Sequence, residues 1–105
     1  MRDLSKTDSL ITYEFTAQTW KPEGDCVWHF VSLPTEMSKE IRALRKSDEE
    51  GWGRLKIIAR VGGSEWKTAI WFDTKHDTYL LPIKAEIRRK EKIEIGGSVG
   101  VVICL

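Results

Sequence analysis

Leu55-Lys56-Ile57-Ile58-Ala59-Arg60-Val61-Gly62-Gly63-Ser64-Glu65-Trp66-Lys67-Thr68-Ala69-Ile70-Trp71-Phe72 decides the fold. Two runs rich in β-branched and aromatic residues flank a Gly-Gly pair, which can supply the positive φ angles of a type I′ hairpin turn. Counting outward from that turn sets Val61 against Ser64, Ala59 against Trp66, Ile57 against Thr68 and Leu55 against Ile70, a nearly apolar face. The other face pairs Arg60 with Glu65, Ile58 with Lys67, Lys56 with Ala69 and Arg54 with Trp71. The register therefore predicts Trp66 inside the protein and Trp71 outside it.

Toward the N-terminus, Ile11, Tyr13, Phe15 and Ala17 alternate with Thr12, Glu14, Thr16 and Gln18, the period of a half-buried strand. Lys21 to Asp25 collects turn-forming residues, and Val27 to Leu33 reads as a deeply placed strand, apolar on both faces, that forms a hairpin with the first. Leu33-Pro34 ends it, and Met37, Ile41 and Leu44 follow at the spacing of an amphipathic helix that gives way to the polar stretch Lys46 to Glu50. Beyond Phe72, Asp73 to Thr78 reads as a loop and Tyr79 to Leu81 as a short strand. Leu81-Pro82 then repeats the strand-to-helix junction, a second helix spans about Lys84 to Lys92, Gly96-Gly97-Ser98 turns the chain, and Val99 to Leu105 closes the sheet. Phe30 to Pro34 and Thr78 to Pro82 match in character, and each precedes an Ile-Arg helix, so the chain reads as two similar halves.

The 105 residues suit one domain, with residues 1–9 expected as a flexible N-terminus and 10–105 as a barrel. At 41% hydrophobic and 31% charged, the composition is that of a soluble globular protein. A net charge of +1 excludes a global field for nucleic acid or anionic lipid, so any basic site must be local. With no signal-like or membrane-length apolar stretch, the expected place is the cytoplasm, with no membrane partner. There Cys26 and Cys104 are expected to remain thiols.

Trp28, Phe30, Val31, Leu33 and Pro34, the Gly51-Trp52-Gly53 triplet, Gly62-Gly63 with Trp66 and Thr68, and Tyr79 to Arg89 form four ordered motifs. Together they resemble the DUF1905 family, small bacterial and archaeal proteins catalogued as a domain of unknown function, over roughly Tyr13 to the C-terminus. The resemblance implies a mostly β fold, a six-stranded double-split pseudo-barrel of two β-α-β halves capped by two short helices. Some family members are joined to a domain associated with bacteriocin protection. The same barrel class resembles the swapped-hairpin DNA-binding domains of the AbrB and MazE type, here through Ile87-Arg88-Arg89, Ile93, Gly96 and Val99. Glu91, Lys92 and Gly97 depart from that pattern, pointing to shared barrel mechanics more than shared DNA contacts.

Five tryptophans in so short a chain can fill a core or wall a ligand pocket. Trp66, Trp28 and Trp20 are read as packing residues. Trp71, beside Arg54 and Lys56, and Trp52, between two glycines, are the candidates for recognition; with Arg54 and Lys75 they define the expected ligand site. Arg54 could instead simply cover Trp71 in a cation–π contact, and Trp52 could plug one barrel end. Lys84, Arg88 and Arg89 lead the densest basic cluster, an alternative site for anions or nucleic acid that can equally be a solvated helix face. Asp73, Lys75, His76 and Asp77 could do acid–base work, although such residues are routine in polar loops, and His29 is expected to be buried. The residues contain no metal-ligand spacing or phosphate-cradling loop. The leading expectation is a binding module, without cofactor, for a small anionic molecule or a peptide, acting as a monomer or weak homodimer. Nucleic-acid binding and an enzyme built on the Asp73 to Asp77 loop are the alternatives.

Overall fold

The computed structural model describes residues 11–24, 28–45, 47 and 53–105. These form β1 (Thr12–Trp20), β2 (His29–Ser32), α1 (Thr35–Arg45), β3 (Arg54–Val61), β4 (Ser64–Asp73), β5 (Thr78–Ile83), α2 (Ala85–Lys90) and β6 (Ser98–Cys104). The strands close into an antiparallel barrel in the order β1-β2-β5-β4-β3-β6. Exchanging β1, β2 and β3 with β4, β5 and β6 leaves every neighbour relation unchanged, so the sequence echo reflects a twofold topology. The expected N-terminal segment 1–9, Trp52 and Cys26 lie outside the described residues.

The β3–β4 hairpin has the register read from the sequence, from Val61↔Ser64 through Ala59↔Trp66 to Arg54↔Trp71. Its turn differs in detail: Gly62 takes φ 58° while Gly63 takes no positive φ, which matches a type II′ rather than a type I′ turn. Alternation then sorts the strands. Leu55, Ile57, Ala59, Val61, Ile70, Val99, Val101 and Ile103 are buried in one core with Val31, Tyr79, Leu81 and Ile83. Trp66 packs against that core, whereas Trp71 is exposed on the outer surface.

Helix α1 buries Ile41 and Ser38 and leaves Leu44 exposed, so only part of its expected apolar face is used. Ser38 fixes the helix to the barrel: its Oγ accepts from the Tyr79 N–H at 3.0 Å and lies 2.7 Å from Thr78 Oγ1. Thr78 Oγ1 in turn donates to the Leu33 carbonyl at 2.6 Å. Helix α2 stops at Lys90, short of the expected Lys92, where φ is 56°; a left-handed backbone there ends the helical ladder.

Pro82 corrects another expectation. It does not end its strand but lies within β5, opposite Phe30. The hydrogen bond from Leu33 N to Tyr79 O marks the odd-numbered residues of β5 as those bonded to β2, so Pro82 presents its ring nitrogen toward β4. Having no N–H, it cannot continue that ladder, and the β4–β5 pairing runs only from Trp71↔Leu80 to Asp73↔Thr78. The β1–β2 ladder is likewise short, Thr19↔Val31 and Trp20↔Phe30. The barrel is thus split at the two corresponding places.

Candidate functional site

On the outer surface, β4, β5 and β2 lie side by side, and a contiguous group of their outward residues is apolar. Leu80 pairs with Trp71 on one flank and Pro82 with Phe30 on the other, while Trp28, just ahead of β2, shares the outward side of Phe30. Trp28, Phe30, Trp71, Leu80 and Pro82 line a groove of about 340 Å³. Trp28 is 55% exposed and Trp71 39%. Apart from the two indole N–H donors, these side chains carry no hydrogen-bonding group, and none carries an acceptor.

Trp20 borders the groove through its pairing with Phe30; the two rings are 5.3 Å apart and tilted by 35°. Its Nε1–H donates to Ser32 Oγ at 3.0 Å. On the opposite border the Arg54 guanidinium carbon stands 5.5 Å from the centre of the Trp71 ring, across the register pair that the hairpin sets. A second cleft, of about 380 Å³, continues from Arg54 past Lys56 and Lys67. A larger hollow of about 550 Å³ lies elsewhere, where Gly100 adds no side chain beside Glu14, Thr16 and Arg60; its one aromatic lining residue, Phe15, is buried in the core, so it offers little of the aromatic wall that favours organic ligands.

Of the residues singled out in sequence, Arg54 and Trp71 come together. Lys75 lies apart from the groove lining, in the Thr74–Asp77 turn, where its backbone N–H donates to Asp73 Oδ1 at 3.0 Å. The packing role read for Trp28 is overturned by its exposure: Val31 and Leu33 turn into the core, which puts Trp28 and Phe30 on the outside. Phe30, Leu80 and Pro82 were not singled out as site residues. The available signal was apolar residues at both parities of Val27 to Leu33, because the outward half of such a strand in a closed barrel needs a cover.

In the basic cluster Lys84 and Arg89 are exposed, but Arg88 turns back onto the barrel. Its Nε donates to the Ile83 carbonyl at 3.1 Å and its Nη1 lies 3.0 Å from the ring nitrogens of His29. His29 is half-buried rather than buried. Burial, then the charges of Arg88 and Lys21, hold its pKa below the usual histidine value. In the β4–β5 turn, His76 Nδ1 and Asp73 Oδ2 are 2.6 Å apart. That hydrogen bond, opposed by burial and helped by the Lys75 amide, holds the Asp73 carboxyl below its ordinary range. The Cys104 thiol is free and half-buried, 3.7 Å from Thr12 Oγ1. Among the described residues no group of three or more His, Cys, Asp or Glu could hold a metal ion, and no helix is long and apolar enough to cross a membrane.

A closed six-stranded antiparallel barrel with two short helices and an aromatic groove on its outer wall defines the class of this protein. The chain belongs to the DUF1905 family, a domain of unknown function, whose family model matches residues 15–103. No curated protein matches it.

Proposed function

We propose that this domain is a binding module of the cytoplasm that takes an extended, apolar segment of a partner protein into the groove walled by Trp28, Phe30 and Trp71. The observation that carries the reading is the joint exposure of Trp28 and Trp71 over one continuous apolar concavity. Contiguous apolar patches of this kind mark interaction surfaces. Covering the exposed parts of the two indoles would contribute about 1 to 2 kcal/mol each. Arg54, 5.5 Å from the centre of the Trp71 ring, braces that wall of the groove.

The reading is tested by adding short apolar peptides to the protein and following thermal unfolding. A peptide that binds raises the melting temperature, and Trp71→Ala and Arg54→Ala abolish or reduce that rise while keeping the wild-type circular dichroism. If no apolar peptide raises the melting temperature, or if both variants lose the fold, the groove is a structural surface and the proposal fails.

A further inference from the structure

We infer that the segment held in this groove is proline-rich and bound as a polyproline II helix, an inference that rests on the peptide-binding reading above. The reason is the balance of donors and acceptors. None of the lining side chains carries an acceptor, and Trp71 contributes an indole N–H donor. Trp20 spends its indole N–H on Ser32, whereas the indole N–H of Trp71 has no hydrogen-bond partner among the described residues.

An ordinary peptide laid across such a surface presses its own N–H groups against side chains that cannot accept them. Proline has no N–H to strand. Its carbonyls all remain unpaired in polyproline II, which makes no internal hydrogen bonds, and one of them can accept from Trp71 Nε1. The pre-formed helix also loses little freedom on binding.

Trp71 pairs with Leu80, whose β2 partner is Ser32, and Phe30 pairs with Pro82 two residues along, so Trp71 and Phe30 stand on a diagonal across β5. Two inter-strand steps of about 9 to 10 Å and a two-residue offset of about 7 Å separate their backbones by about 12 Å, the rise of about four polyproline II residues. Leu80 and Pro82 lie beneath a segment that crosses from one ring to the other.

The test titrates the intact protein with a decaproline peptide, and separately with a proline-free apolar peptide of equal length, both carrying the same solubilising ends. Indole N–H resonances and tryptophan fluorescence are followed. Decaproline is expected to bind at least about tenfold more tightly than the comparator and to shift the Trp71 indole resonance. Trp71→Phe, which keeps a ring but removes the donor, should weaken binding about fivefold to tenfold with an unchanged melting temperature. Equal or tighter binding of the comparator overturns the proline inference and leaves the apolar-peptide reading standing. Unweakened binding by Trp71→Phe also overturns the inference, because the donor would then have no part in recognition. If neither peptide binds, both readings fall.

Discussion

Trp20 and Trp71 border one groove from the two short ladders of the barrel, Trp20 paired with Phe30 in β1–β2 and Trp71 with Leu80 in β4–β5. The two indoles differ in what they bind. Trp20 donates to Ser32, whereas the indole N–H of Trp71 has no hydrogen-bond partner among the described residues. The side chains that line the groove with Trp71 carry no acceptor for it.

The hairpin register predicts opposite costs for its two tryptophans. Trp66→Ala removes a ring packed against the core and should destabilise by about 2 to 4 kcal/mol. Trp71→Ala removes an exposed ring and should cost less than about 1 kcal/mol. Urea unfolding of both variants checks the difference, and similar losses would contradict the assignment of faces.

The hairpin was legible because Gly62-Gly63 pins the register and each strand alternates cleanly, so one count fixes every side chain's face. The β1 strand and the barrel class followed from the same period and from the family likeness. The groove was not legible. Its lining comes from three strands that are distant in sequence, and the Val27 to Leu33 run, apolar at both parities, does not reveal which half points inward. Pro82 misled because a proline after a strand ordinarily reads as its end, and only the adjoining register shows that it replaces a ladder amide instead. Arg54 and Trp71 were found because they belong to the one hairpin whose geometry is local.

The Ser38 hydroxyl sits in a closed set of hydrogen bonds. Thr78 Oγ1 donates to Leu33 O, so Ser38 donates to Thr78 while accepting from Tyr79 N. Ser38→Ala leaves the buried Tyr79 N–H without its acceptor and should destabilise by about 2 kcal/mol, lowering the denaturation midpoint. Loss of protection from hydrogen exchange at the Tyr79 amide is the accompanying sign.

Gly62 combines φ 58° with close contact: a Cβ there would overlap the Glu91 carboxylate, which accepts from Ser64 Oγ at 2.6 Å. Gly62→Ala should therefore cost about 1 to 2 kcal/mol. In the Glu91→Ala background the same substitution should cost less, because only the backbone penalty remains. An equal cost in both backgrounds, measured by a double-mutant cycle, would show that Glu91 is not displaced.

His29 makes stability depend on pH. Its pKa is lower folded than unfolded, so the unfolded chain binds the proton more readily. The stabilisation from the neutral ring is fully present above the unfolded value near 6.5, and is lost as pH falls through the folded value. Unfolding free energy should accordingly decline on acidification below about pH 6.5, and His29→Gln should flatten that decline. A wild-type curve level through this range would refute the assignment.

Pro82 also fixes the breadth of the groove. With an amide proton at that position, β4 and β5 could zip together beyond Trp71 and draw the two walls toward one another. A residue that can neither donate nor be coaxed into the ladder works as a permanent spacer, so the cleft stands open.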